Sequence, residues 1–151
     1  MYRRILVPIG YGKASEHGVV EGLRLARLAH AALCFIHVVG ESTWRDGDAG
    51  FSGTVDEFLE LVDRRCSAVV NDARVRAAAA GVDCEVMLCD GAGAEPATLI
   101  ESQALAWGAE LIVMGARLVG GAGLRPGSVG ARILQSSRVP VIAVSARTLG
   151  C

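Results

Sequence analysis

The sequence predicts a single α/β domain over residues 1–151, with a five-stranded parallel sheet and helices on both faces. Three observations lead to this fold class. The length of 151 residues suits one domain. Hydrophobic residues make up 52% and charged residues 21% of the chain, which excludes a disordered protein. Short apolar runs alternate with helical patterns, and right-handed crossovers between such strands produce a doubly wound parallel sheet.

The first third of the chain reads strand, helix, strand. Residues 4–9 are a short apolar run closed by a proline and a glycine, which predicts a buried strand. Ser15 is predicted to cap a helix that extends to about Ala31, and Leu33 to Val39 forms a second buried strand. The expected apolar stripe of this helix consists of Val19, Val20, Leu23, Ala26 and Leu28.

The middle of the chain is predicted to hold a loop, a long helix and a strand. Gly40 to Gly53 is polar and rich in glycine and acidic residues, which is typical of a loop. Thr54 and Glu57 have the spacing of a capping box, and the helix that they open continues to Gly81. Val82 to Cys89 alternates apolar and polar residues, which predicts a strand near an edge of the sheet.

The last third of the chain completes the alternation. Pro96 suits the first position of a third helix, which ends near Gly108. Leu111 to Met114 is wholly apolar and predicts a fourth strand. After a glycine-rich loop, Ser128 is predicted to cap a short fourth helix, and Val139 to Val144 is the fifth strand.

Charge and cysteine content exclude several classes of protein. The net charge is -1, which disfavours nucleic-acid binding because such surfaces need many uncompensated cations. No apolar run reaches the length of about 18 residues that a membrane span needs, and the first residues lack the pattern of a secretory signal. We therefore expect a cytoplasmic protein with no membrane contact. The cysteines are odd in number without a C-x-x-C pair, which predicts reduced thiols at Cys34, Cys66, Cys84, Cys89 and Cys151.

Two loops that contain glycine are candidate ligand sites, namely residues 10–15 and 115–128. Each loop follows a strand, and we expect the carboxyl ends of these two strands at the point where the strand order reverses. Ligands of such sheets usually bind at that point. In the second loop, the backbone amides of Gly127-Ser128, together with Arg117 and Arg125, would suit a phosphate group. Glycines are equally common in plain strand-to-helix turns, so the loops alone leave a binding and a structural interpretation open.

Catalytic and metal-binding arrangements are not evident in the sequence. The three histidines have no partner at the spacing of metal ligands, and no base brackets a serine or cysteine nucleophile. We therefore expect no catalytic residue and no metal site. His37 lies within an apolar strand and is predicted to be a hydrogen-bonded core residue.

Three segments resemble the universal stress protein family. They are Arg4-Ile5-Leu6-Val7-Pro8, the stretch Ala109 to Gly115 with Gly127-Ser128-Val129 beyond its loop, and the ending Val139 to Val144. The likeness covers essentially the whole chain. It implies a Rossmann-like fold of the adenine nucleotide alpha hydrolase type, usually dimeric. Some members bind ATP through a pattern of glycine, two residues, glycine, nine residues, glycine and serine or threonine.

The family's ATP-binding pattern matches this chain in part. Gly115 matches the first glycine and Gly127-Ser128 the closing pair, but Leu118 stands at the second glycine and the loop is one residue short. ATP binders of the family tend to have an aspartate two residues after the first-strand proline, where this chain has Gly10. Pro8, Val38 and Met114 resemble walls of the family's adenine pocket. The resemblance thus implies a degenerate nucleotide site at Pro8, Gly10, Val38, Met114, Gly115, Arg117, Gly127, Ser128 and Val129.

These observations lead to two classes of function. The first is a cytoplasmic stress-response regulator that forms a homodimer through Val139 to Val144, with or without a bound adenine nucleotide such as ATP. The second is a slow nucleotide hydrolase, which would need a metal-holding carboxylate beside the phosphates. Asp90 is the only obvious candidate, because Gly10 supplies no acid. We favour a non-enzymatic regulator in which any metal arrives with the nucleotide. A dimeric scaffold without nucleotide is the third interpretation.

Overall fold

The computed structural model describes residues 1–39, 53–91, 94–116 and 128–145. Within these ranges it contains the strands β1 (Arg4–Pro8), β2 (Ala32–Val39), β3 (Cys84–Asp90), β4 (Leu111–Ala116) and β5 (Val141–Ser145). The helices that alternate with them are α1 (Lys13–Ala29), α2 (Val55–Ala79), α3 (Pro96–Trp107) and α4 (Val129–Ser136). None of the described helices is long and apolar enough to cross a lipid bilayer. The predicted loop at 40–53 and Cys151 lie almost wholly outside the described residues.

The strands pair in parallel in the order β3-β2-β1-β4-β5, which confirms the predicted doubly wound sheet. The predicted edge position of β3 is also confirmed. From β1 the chain moves outward to β3, and it then returns to the other side of β1 for β4 and β5. The strand order therefore reverses between β1 and β4, and the carboxyl ends of these two strands form the crevice where such sheets bind ligands.

Two hydrophobic layers hold the helices on the sheet. The layer beneath α1 and α2 includes Ile5, Val7, Phe35, Leu23 and Ala73. The layer beneath α3 and α4 includes Leu6, Ile36, Ile112, Ile100 and Ile133. Since successive residues of a strand point to opposite faces, these two layers determine on which side of the sheet each candidate site residue lies.

Helix α1 lies very close to β4. A Cβ on Gly18 would lie 2.5 Å from the amide nitrogen of Gly115, and a Cβ on Gly115 would overlap the carbonyl oxygen of Ala14. Because backbone atoms cannot yield as a flexible side chain can, only glycine fits at both positions. The contact holds the first turns of α1 against the carboxyl end of β4.

Two expectations about α1 are wrong. The helix starts with Gly12 at the N-cap, and the hydroxyl oxygen of Ser15 instead accepts a hydrogen bond from the amide of Gly10, at 2.8 Å. The β1–α1 turn is tight because Gly12 adopts a φ of 97°, so the helix begins before Ser15. Val20 and Leu28 are 51% and 66% exposed, since they lie outside the part of the stripe that faces the sheet.

The other predicted helix starts are confirmed. The hydroxyl oxygen of Thr54 accepts a hydrogen bond from the amide of Glu57, at 3.2 Å. Pro96 occupies the first turn of α3, and Ser128 is the N-cap of α4. Each of these starts depends on residues within one helical turn, which is why a local sequence pattern could locate them.

The last two strands differ from their predicted bounds. β5 begins at Val141, so Pro140 lies before the strand, where its carbonyl accepts a hydrogen bond from the amide of Ile112, at 2.9 Å. Proline has no N–H to contribute to the ladder with β4, which explains the later start. β4 extends to Ala116 because its last residues pair with β5 as far as Ser145.

Candidate functional site

Three apolar residues that were predicted as pocket walls lie near one another at the carboxyl ends of the central strands. Ile5 and Leu6 of β1 pair with Leu111 and Ile112 of β4, and the same register continued by two residues brings Pro8 level with Met114. Val38 follows two residues beyond the partner of Pro8 in β2. Met114 belongs to the layer beneath α3 and α4, and Val38 packs against that layer. The alternation of β1 places Pro8 on the same side. Together they form an apolar wall at the crevice.

The start of α4 lies next to this wall. A Cβ on Gly130 would lie 3.4 Å from Cε of Met114. The hydroxyl oxygen of Ser128 accepts a hydrogen bond from the amide of Ala131, at 3.1 Å. The first amides of a helix, here those of Val129 and Gly130, have no carbonyl partner within it, and the helix dipole adds positive potential at this end. The apolar wall therefore adjoins a helix end that favours an anion.

Gly10 faces open space at the same crevice. Among the described residues, no atom outside its chain neighbours lies within 4 Å of the position that a Cβ would take. Its amide donates the hydrogen bond to Ser15. The residue supplies no carboxylate, so the acidic contact of the family's ATP binders has no counterpart at this position. There is, however, room for a Cβ at this position.

Glycines shape the site mainly through packing. Gly115 must be glycine because α1 lies against it, so no ligand is needed to explain this residue. A Cβ on Gly91, just after β3, would lie 2.7 Å from Cγ1 of Val38, one of the three wall residues. Neither Gly91 nor Gly130 was among the predicted site residues. The only signal for them is a glycine at a strand end or in a first helical turn, which is common in this fold.

Part of the predicted site lies outside the described residues. This holds for Arg117 and Gly127, together with the rest of the loop at 117–127.

Asp90, the candidate carboxylate of a hydrolase, ends β3. Three strand spacings of about 4.8 Å separate β3 from β4, which gives a distance of roughly 14 Å. This distance keeps Asp90 away from the crevice beside β4.

His37 is confirmed as a hydrogen-bonded core residue. It is 3% exposed, and its Nδ1 donates a hydrogen bond to the carbonyl oxygen of Ile9, at 2.8 Å. Because it precedes Val38, its side chain lies on the opposite side of the sheet, beneath α1 and α2. Within the described residues, no three histidine, cysteine or acidic side chains are grouped so that they could hold a metal ion.

The cysteines of the described residues are not activated as nucleophiles. Burial, together with the smaller effect of the negative charge of Glu85, raises the pKa of the Cys34 thiol to about 12. Burial also raises the pKa of the remaining described thiols, which are Cys66, Cys84 and Cys89. A thiol with a raised pKa forms little thiolate at neutral pH, and thiolate is the reactive form.

Comparison with known proteins identifies the family that these features resemble. The sequence model of the Universal stress protein family matches residues 1–145. A search of curated proteins finds no match. Among solved structures, a protein from the universal stress protein family of Burkholderia pseudomallei is 27% identical, with a TM-score of 0.72; the alignment covers 95% of this chain and 96% of that chain.

Two further similar structures contain a nucleotide. The universal stress protein from Archaeoglobus fulgidus in complex with dAMP is 20% identical, with a TM-score of 0.65 and coverage of 94% of this chain and 97% of that chain. A universal stress protein family protein from Arabidopsis thaliana with AMP bound is 14% identical, with a TM-score of 0.67 and coverage of 95% and 91%. At these identities the likeness establishes the shared fold.

Proposed function

We propose that this chain, which belongs to the universal stress protein family, is a cytoplasmic regulatory protein that forms a homodimer and binds an adenine nucleotide. The nucleotide would lie at the carboxyl ends of β1 and β4. The observation that carries this proposal is the proximity of Met114 to the first turn of α4. It brings a buried apolar side chain close to amides that have no carbonyl partner within their helix, so that one ligand could contact both. A nucleotide, with its flat base and its anionic phosphate, requires this combination.

Each part of the nucleotide has a candidate partner. The base would pack against the apolar wall of Pro8, Val38 and Met114. The phosphate would accept hydrogen bonds from the first amides of α4, and the hydroxyl hydrogen of Ser128 is a further donor, because only its oxygen is engaged by Ala131. We also propose Arg117 and Gly127 as phosphate contacts. The dAMP and AMP complexes of similar proteins support an adenine base.

We propose a regulator rather than a hydrolase because neither predicted acid position provides a carboxylate beside the phosphates, and Glu95, which reaches the first residues of α4, is engaged by Arg132. Gly10 supplies none, and Asp90 lies about 14 Å from β4 by the strand spacing. A nucleotide hydrolase needs a group there that holds a metal ion or orients water. Binding without turnover is the function that suits these residues.

The dimer is proposed to form through β5. Of the two edge strands, β5 has the uncharged sequence Val-Ile-Ala-Val-Ser, and its Ile142 and Ala143 are exposed. The other edge, β3, carries the exposed charges Glu85 and Asp90. Charges on an edge strand oppose pairing with another chain, whereas an apolar edge invites it. The contrast supports β5 as the strand that pairs with a second copy.

The methionine methyl groups provide a direct test of the nucleotide site. The chain has three methionines, and Met114 alone lies in the proposed pocket wall, while Met87 lies on β3 and Met1 is almost fully exposed. With ¹³C-methyl methionine, we expect AMP to shift the NMR signal of Met114 and to leave those of Met1 and Met87 unchanged. Absence of any shift at millimolar AMP would contradict the proposal, and so would a shift of Met87 alone.

A further inference from the structure

A second cleft lies between the β1–α1 turn and α2. Its volume is about 300 Å³, at the lower end of the range for small-molecule sites. Apolar side chains form its floor, namely Ile9, Val19, Val69 and Ala73. They belong to or pack against the layer beneath α1 and α2, whereas Met114 lies in the layer on the other face of the sheet. The cleft shares Gly10 with the proposed nucleotide site, but its apolar floor lies on the opposite face of the sheet from Met114.

Two carboxylates from different helices line this cleft. Glu16 lies in the first turn of α1, and Asp72 lies on α2. Arg76 connects them, with its guanidinium 3.7 Å from Oε1 of Glu16 and 3.0 Å from Oδ2 of Asp72. All three side chains are more than one third exposed. Exposed ion pairs are weak, so a cationic ligand can share or replace Arg76 as the partner of these carboxylates.

One wall of the cleft adjoins a buried hydrogen-bond acceptor. Tyr11 lines the cleft, and its ring contacts the ring of His37 at right angles, with a centroid separation of 5.7 Å. Because Nδ1 of His37 donates its proton to the carbonyl oxygen of Ile9, the lone pair of the neutral ring is on Nε2. Nε2 is fully buried and has no hydrogen-bond partner among the described residues. Buried polar atoms are normally paired, so a donor that reaches past the ring of Tyr11 would satisfy this atom.

We propose that this cleft binds a small organic amine in its protonated form. Its polar groups are mainly acceptors: the carboxylates of Glu16 and Asp72, the ring face of Tyr11 and, behind that ring, Nε2 of His37. An ammonium group suits both the carboxylates and the aromatic face, and the apolar floor takes the hydrocarbon part. Arg65 is the one cationic residue among the described residues of the lining. A ligand with a carboxylate or phosphate would meet the like charges of Glu16 and Asp72, and Arg76, the cation between them, is already engaged by both.

Three probes with the same phenyl group separate charge from shape. They are 2-phenylethylamine, 2-phenylethanol and 3-phenylpropionate, which are cationic, neutral and anionic at pH 7. Binding is followed by the methyl NMR signals of Val19 and Val69 and by the ¹⁵N signal of Nε2 of His37. We expect the amine to shift all three signals at millimolar concentration. The alcohol should bind about fivefold more weakly, and the anion should cause no shift.

Two charge-neutralising variants complete the test. Asp72→Asn removes a carboxylate of the cleft, and Asp63→Asn makes the same change at an exposed position of α2 outside the cleft. We expect the first to weaken binding of the amine about fivefold and the second to leave it unchanged. Equal binding of the three probes, or equal effects of the two substitutions, would overturn the proposal. So would shifts at Met114 with none at Val19.

Discussion

A Cβ on Gly18 would lie 2.5 Å from the amide nitrogen of Gly115, so α1 and β4 touch backbone to backbone at the carboxyl end of the sheet. The contact joins the two strand-to-helix connections that flank the proposed nucleotide pocket. The shape of this crevice therefore depends on a helix packing against a strand that lies far from it in the chain.

Replacement of Gly115 by alanine should destabilise the fold. The new methyl group overlaps the carbonyl of Ala14, and α1 must move away from β4 to make room. We expect a loss of at least about 2 kcal/mol in the free energy of unfolding, measured by urea denaturation. Gly10→Ala is the matched control, because its methyl group would face open space, and it should change stability by less than about 0.5 kcal/mol. Equal losses for both variants would refute this account of Gly115.

Substitution of Gly10 by aspartate should strengthen nucleotide binding. A Cβ at this position meets no described atom within 4 Å, and the carboxylate of an aspartate can accept hydrogen bonds from a nucleoside hydroxyl. We expect AMP to bind about tenfold more tightly, or about 1.4 kcal/mol, by isothermal titration calorimetry. Gly10→Ala should bind AMP as the unchanged protein does. If Gly10→Asp and Gly10→Ala have the same affinity, the nucleoside does not lie beside this residue.

Introduction of a charge on β5 should break the dimer. Ile142 is 39% exposed on the apolar edge, so Ile142→Lys would place an ammonium group in the proposed interface. We expect a monomer in sedimentation velocity at micromolar concentration. Leu88→Lys makes the same change on β3, at a residue that is 58% exposed, and this variant should remain a dimer. A wild-type monomer, or a dimer that survives Ile142→Lys but not Leu88→Lys, would exclude β5 as the interface.

The thiol of Cys34 should make the fold sensitive to alkaline pH. Burial raises its pKa from 9.0 to about 12, so the folded state holds the proton more tightly than the unfolded chain does. The contribution of this proton to the free energy of unfolding is complete below pH 9, and it is lost as the pH rises from 9 towards 12. We expect the free energy of unfolding to fall more steeply across this interval in the wild type than in Cys34→Ala. Parallel curves for the two proteins would show that Cys34 contributes nothing to this dependence.

Local sequence patterns were sufficient for the order and type of the elements. Thr54, Pro96 and Ser128 mark helix starts correctly, because capping depends on hydrogen bonds within one turn. The apolar run around His37 likewise indicates a buried strand, in which a histidine needs a hydrogen-bond partner. The start of α1 could not be found in this way. Ser15 has the right chemistry for a cap, but the turn after β1 engages it with Gly10 instead.

The sequence by itself determined the alternation of five strands and four helices, which follows from periodicity, and it suggested Pro8, Val38 and Met114 as pocket walls only through the resemblance to a family. Only the tertiary structure decided that Gly115 is required by Ala14 of α1, that Val20 and Leu28 face solvent, and that Glu16 and Asp72 line one cleft. These relationships depend on how one element is placed against another. No pattern within a single segment records that placement, because the contacts join residues from different parts of the chain.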